Sequence, residues 1–166
     1  MNDQTKTDEA TADPVVASDI SDFDTVAGAD AGAVMEVRSP KTGDVLRHED
    51  GRPFTITYHG QDSEAVRSIS RAQNDRRAQQ NARTRSPIMS ASIERDDIEL
   101  LVAATMKWDV VLGGTVPPSN QASYRAAYTK YPWLKDQGDQ FVGVRANFIP
   151  ASRLNSSKER DGSGGE

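Results

Sequence analysis

The 166-residue chain contains no cysteine. That absence excludes a disulfide framework, a thiolate zinc site and a cysteine nucleophile, and it suits a reducing compartment. Long apolar runs are missing as well: no stretch approaches the roughly 20 apolar residues that a membrane span needs. The opening Met1-Asn-Asp-Gln-Thr-Lys6 has neither the basic start nor the apolar stretch of a signal peptide, so the expectation is a cytoplasmic protein with no membrane partner. Histidine is scarce. His48 and His59 are the only two, not four residues apart on one helix face and with no cysteine beside them, so metal-ligand spacing is lacking and no metal or cofactor is expected. No Gly-x-Ser-x-Gly elbow surrounds a serine, and Gly113-Gly114-Thr115 lacks the lysine and following helix of a phosphate loop. These absences together point away from an enzyme.

What is present is unevenly spread. Hydrophobic residues make up 36% of the chain and charged ones 27%, with a formal charge of -5. The large aliphatic and aromatic residues crowd into the middle, so burial must be concentrated there. Composition divides the chain into a disordered acidic arm (residues 1–32), a small β-hairpin plus helical domain (33–150) and a flexible Gly/Ser-rich C-terminal tail (151–166). The arm has Lys6 as its single cation and reads as a solubilising tail, with Phe23 between Asp22 and Asp24 leaving a docking segment as the alternative.

Within the middle, Val34–Val37 and Val45-Leu46 flank the turn chemistry of Ser39-Pro-Lys-Thr-Gly43-Asp44 and predict a hairpin. Phe54-Thr-Ile56-Thr-Tyr58 alternates strictly and predicts the next strand. Asp62 or Ser63 can cap a helix running to about Arg85, where Ser86-Pro87 breaks it. Only its first turns carry apolar residues, so the Asn74–Arg85 half should project as a polar arm. Ile98, Leu101, Val102, Thr105 and Trp108 fit one helix face, and Ser119 or Asn120 can cap a short helix bearing Tyr124, Ala127, Tyr128 and Tyr131. A last helix starting at Pro132 should carry Leu134, Phe141, Val144, Arg145 and Phe148. The class expected is mainly α with a small N-terminal antiparallel β-sheet (α+β), its helical body built from three to four helices.

Glu94, Asp96, Asp97 and Glu99 crowd what reads as a helix start, where the positive end of the macrodipole favours carboxylates without any catalytic purpose. Arg67, Arg71, Arg76, Arg77, Arg83 and Arg85 make the Arg67–Arg85 helix locally basic, which raises a small nucleic-acid-binding regulator as one reading. At about 100° per residue these arginines ring the helix and form no phosphate-tracking stripe, and no aromatic platform accompanies them. A solvated helix, or one clasping an acidic partner, explains them better. Aromatics and arginines dominate binding hot spots, so the candidate protein-binding residues are Phe54, Tyr58, Arg76, Arg77, Trp133, Arg145 and Phe148.

The runs Leu100-Leu-Val-Ala-Ala-Thr-Met-Lys-Trp108-Asp109, Tyr128-Thr-Lys-Tyr131-Pro132-Trp133-Leu134 and Gln140-Phe141-Val-Gly-Val144-Arg145-Ala-Asn-Phe148 resemble the tail assembly chaperones of long-tailed bacteriophages. The likeness covers about Val34 to Pro150 and rests on a pattern of aromatics and spacing. It implies a small, partly helical, non-enzymatic protein of the host cytoplasm. Such a protein binds the tape-measure protein, assists polymerisation of the tail-tube protein and is absent from the finished virion. Within the same setting, a structural tail or head-tail joining protein is the alternative, and a homo-oligomer is left open. In many such phages a programmed frameshift appends a second domain, and Arg153–Glu166 would be a tolerant place for that join.

Overall fold

The computed structural model describes residues 24–84 and 90–149. In chain order these form α1 (Thr25–Ala31), β1 (Ala33–Glu36), β2 (Thr55–Tyr58), α2 (Glu64–Thr84), α3 (Ser90–Ala104), β3 (Thr105–Asp109), α4 (Gln121–Lys130) and α5 (Pro132–Gly143), then a 3-10 turn at Arg145–Phe148. The class is mainly helical α+β, with five α-helices among the described residues where three to four were expected. The expected C-terminal tail and most of the acidic arm lie outside the described residues, as does Arg85.

The last residues of that arm are helical, which moves the domain boundary inward. Asp24 supplies the reason: its carboxylate accepts hydrogen bonds from the Val26 and Ala27 amides and caps α1. Ala29 of α1 is buried, and Gly32 ends the helix at φ 82°, where a side chain would collide with Met106 and the Tyr58 carbonyl.

Strand β2 is central, with β1 and β3 antiparallel on either side. Between β1 and β2 the expected hairpin is present as two stacked turns. Leu46 N donates to Val37 O and Ser39 N to Asp44 O at the first, while His48 N donates to Arg52 O at the second. The sheet is not wholly N-terminal, because β3 comes from mid-chain. Residues Thr105 and Trp108 continue the helical spacing of α3, yet the helix stops at Ala104 and passes into the strand with no loop. Two local forces favour the strand. Thr105 Oγ1 donates to Leu101 O at 2.7 Å, tying off the last turn of the helix. The second edge of β2 carries the fully buried Ile56 and Tyr58, whose backbone groups need partners that only another strand supplies.

Helix α2 is preceded by Ser63, whose Oγ accepts from Val66 N as a cap. Its second half does not project freely. Gln73 is buried and donates to the Asp96 carbonyl at 2.7 Å, and Arg76 and Arg77 both bind the Asp96 carboxylate, so α2 lies along α3 at least to Arg77. Helix α3 begins at Ser90, which puts Glu94, Asp96, Asp97 and Glu99 beyond its first turn and corrects their reading as dipole-stabilising carboxylates. Asp96 instead ties α3 to α2, and Glu99 ties α3 to α4 through Arg125 at 2.7 Å. Helix α4 is capped by Asn120, and α5 begins at Pro132 as expected but ends at Gly143, leaving Arg145 and Phe148 in the 3-10 turn.

At the centre of the core, Tyr58 Oη lies 3.1 Å from Tyr128 Oη, which lies 2.8 Å from Thr105 Oγ1. The hydroxyls satisfy one another where water is excluded. Helix α5 approaches this network through Gly138, where an added methyl would sit 2.7 Å from Tyr58 Oη and 3.0 Å from a Leu101 methyl. Gly138→Ala should therefore destabilise by about 1–3 kcal/mol through overpacking, against the small gain alanine gives an unstrained helix. A urea midpoint at or above the wild type's would contradict this packing.

Candidate functional site

Three separate segments meet around an open apolar groove of about 200 Å³. The β1–β2 hairpin contributes Val37, Leu46 and Phe54, the stretch leaving β3 contributes Val110–Gly113, and the corner between α4 and α5 contributes Tyr131, Trp133 and Leu134. The corner is tight for a local reason. Pro132 has no amide to continue α4 and sits at the first position of α5, so the chain turns within one residue and sets the Tyr131 and Trp133 rings 6.5 Å apart, edge to face. Leu112 and Thr115 close the facing turn through Gly113 and Gly114, both at positive φ.

Phe54, Leu46, Leu112, Tyr131 and Trp133 are half-buried and pack on the core with their outer faces open. Just after the facing turn, Val116 is 55% exposed. At the hairpin end, His48 packs edge-on against Phe54 with ring centroids 4.6 Å apart. Its Nε2 lies 3.1 Å from Asp109 Oδ1 without hydrogen-bond geometry, and Asp109 also accepts from Arg52 at 2.9 Å. Arg52 in turn binds Asp50 at 2.7 Å, and that hydrogen bond holds the Asp50 carboxyl below its usual pKa. Lys130 stands 5.3 Å above the Tyr131 ring at the opposite end. An apolar floor with charged ends suits a peptide side chain or helix face better than a small polar substrate.

Of the seven residues picked out from the sequence, the groove unites two, Phe54 and Trp133. Tyr58 and Phe148 are 0% and 5% exposed and cannot contact a partner: Tyr58 holds the core hydroxyl network, and Phe148 packs against Phe141 and over Gly60. Arg76 and Arg77 are engaged with Asp96. Arg145 is committed to Asp62, donating to both its oxygens at 2.6 and 3.1 Å, and this pair lowers the Asp62 pKa. Sequence reasoning missed Leu46, Val111, Leu112 and Tyr131. The signal was there in the apolar Val110-Val-Leu112 run against Gly113-Gly114, but nothing local says that it faces the hairpin.

No group of three or more His, Asp or Glu side chains that could hold a metal converges among the described residues, and no described helix is long and apolar enough to cross a membrane. No protein-family model, curated protein or solved structure matches the chain.

Proposed function

We propose that this chain is a tail assembly chaperone of a long-tailed bacteriophage, binding the tape-measure protein and assisting the tail-tube protein while tails are built in the host cytoplasm. The observation that carries the reading is the open groove walled by Phe54, Leu112, Tyr131 and Trp133. The resemblance supports it in a specific way. Its three runs fall on α3–β3, on the α4–α5 corner and on the end of α5 with the 3-10 turn, which pack on one core. Those runs therefore describe a common framework, and the second of them supplies one wall of the groove directly. A partner that would otherwise expose apolar helix faces gains most from such a surface, because large aromatics anchor binding at little entropic cost.

The test is co-expression with the tape-measure and tail-tube proteins of the same genome, followed by capture and by mass spectrometry of purified particles. The expected result is capture of the tape-measure protein and absence of this chain from finished virions. Trp133→Ala should weaken capture by about 2 kcal/mol, roughly 30-fold, as loss of a hot-spot aromatic does, while leaving the fold intact. Stoichiometric presence in the virion would overturn the reading in favour of a structural tail or head-tail joining component.

A further inference from the structure

A second groove of about 410 Å³ runs along the opening turns of α2, lined by Gln61, Val66, Arg67, Ser70, Arg71 and, from α3, Leu100. Its floor is apolar, since Val66 is buried and Leu100 half-buried in the core. Its rim is basic. Arg71 is shared with Glu64 at 2.7 Å, whereas the exposed Arg67 guanidinium has no hydrogen-bond or ion-pair partner among the described residues. The neighbouring carboxylate Asp62 is bonded directly to Arg145 and feels Arg67 only through space, so the Arg67 guanidinium stays open to a further carboxylate beside an apolar strip.

The chain itself leads into this groove. Thr25, the first residue of α1, lies in one crevice with Gln61 and Asp62, and Gln61 is also the near end of the α2 groove. The residues before Thr25 therefore start at the groove's mouth. Residues 1–23 contain six carboxylates and one lysine, and the part nearest the mouth reads Val15-Val-Ala-Ser-Asp19-Ile20-Ser-Asp22-Phe23. From Glu64 to Arg71 the groove follows α2 for about 11 Å, with Gln61 before the helix, so four or five extended residues cover it. Phe23 and Ile20 match the apolar floor, and Asp22 and Asp19 match the arginines. We infer that this groove is the docking site of the chain's own acidic N-terminal segment, residues 19–23, seated in cis over Val66 and Leu100 with its carboxylates toward Arg67 and Arg71. This goes beyond the chaperone reading and does not depend on it.

The absence of cysteine makes the test clean, because one introduced thiol is unique. A nitroxide placed at Ser18→Cys in the full chain should broaden the amide signals of Val66–Arg71 and Leu100 selectively. The paired change Arg67→Glu with Arg71→Glu should abolish that broadening, and adding Asp19→Arg and Asp22→Arg to it should bring the broadening back. Broadening spread evenly over the surface, focused elsewhere, or unmoved by the arginine changes would overturn the assignment. So would broadening that persists when spin-labelled unlabelled-nitrogen chain is mixed with untagged 15N chain, since the arm would then be reaching a second copy.

Discussion

Replacing Arg76 and Arg77 together by alanine should cost about 3–5 kcal/mol of stability, the usual penalty for leaving a buried charge without its partner. The Asp96 side chain is only 5% exposed, while the two arginines that hold it are 50% and 30% exposed. The asymmetry determines which mutation hurts. Either arginine alone can be lost at smaller cost, because the other still reaches the carboxylate and water reaches the freed guanidinium. Loss of both strands an anion between α2 and α3. Adding Asp96→Asn to the double variant should recover most of the loss by removing the charge while leaving the Gln73 bond to the Asp96 backbone carbonyl in place. Equilibrium urea unfolding of the wild type and the four variants decides the matter: additive costs, or no rescue by asparagine, would rule out charge burial as the cause.

Stability should also fall by about 2 kcal/mol between pH 10 and pH 12 through Tyr128 alone. Burial pushes the Tyr128 phenol up to about 12, while its hydrogen bonds with Thr105 and Tyr58 pull the other way. The same burial raises Tyr58 well above its ordinary value. An unfolded tyrosine ionises near pH 10, so above that pH the unfolded chain gives up a proton that the native chain keeps. The contribution is thus complete below pH 10 and disappears as pH rises through 12. Tyr128→Phe should flatten the slope in this window, although it leaves Tyr58 Oη without its tyrosine partner and lowers stability at neutral pH by about 1–2 kcal/mol. Denaturant titrations at a series of alkaline pH values measure both effects. Equal slopes in the two proteins would exclude the phenol as the source.

Much of the helical framework was legible because its signals are local. Ser63, Asn120 and Pro132 mark three helix starts, and the alternation of Thr55–Tyr58 marks β2. Strand β3 was not legible. Trp108 fits a helix by spacing, and what overrides that spacing is pairing with Ile56, about 50 residues away in the chain. Tyr58, a candidate protein-binding residue by sequence, belongs to the core for the same reason, since its hydroxyl partner is 70 positions distant. The arginine ring on α2 suggested solvation because only one carboxylate, Asp75, stands among those arginines in sequence, whereas Asp96 reaches two of them across the helix pair. For the groove, Phe54 and Trp133 could be found as aromatics beside turn-forming residues. The wall between them depends on how three distant segments fold together, which no local pattern specifies.

The sheet's order also sets a timetable for synthesis. The hairpin and β2 leave the ribosome before α2 and α3, and at about 5–20 residues per second the third strand follows a few seconds later. During that interval one edge of β2, with Ile56 and Tyr58 side chains that end wholly buried, is open to any passing strand. The loopless passage from α3 into β3 shortens the risk, because the strand is delivered by the helix it continues and needs no separate search. Mutations that loosen α3 should thus reveal themselves first as lower soluble yield from newly made chains, before any change in the melting of protein already folded.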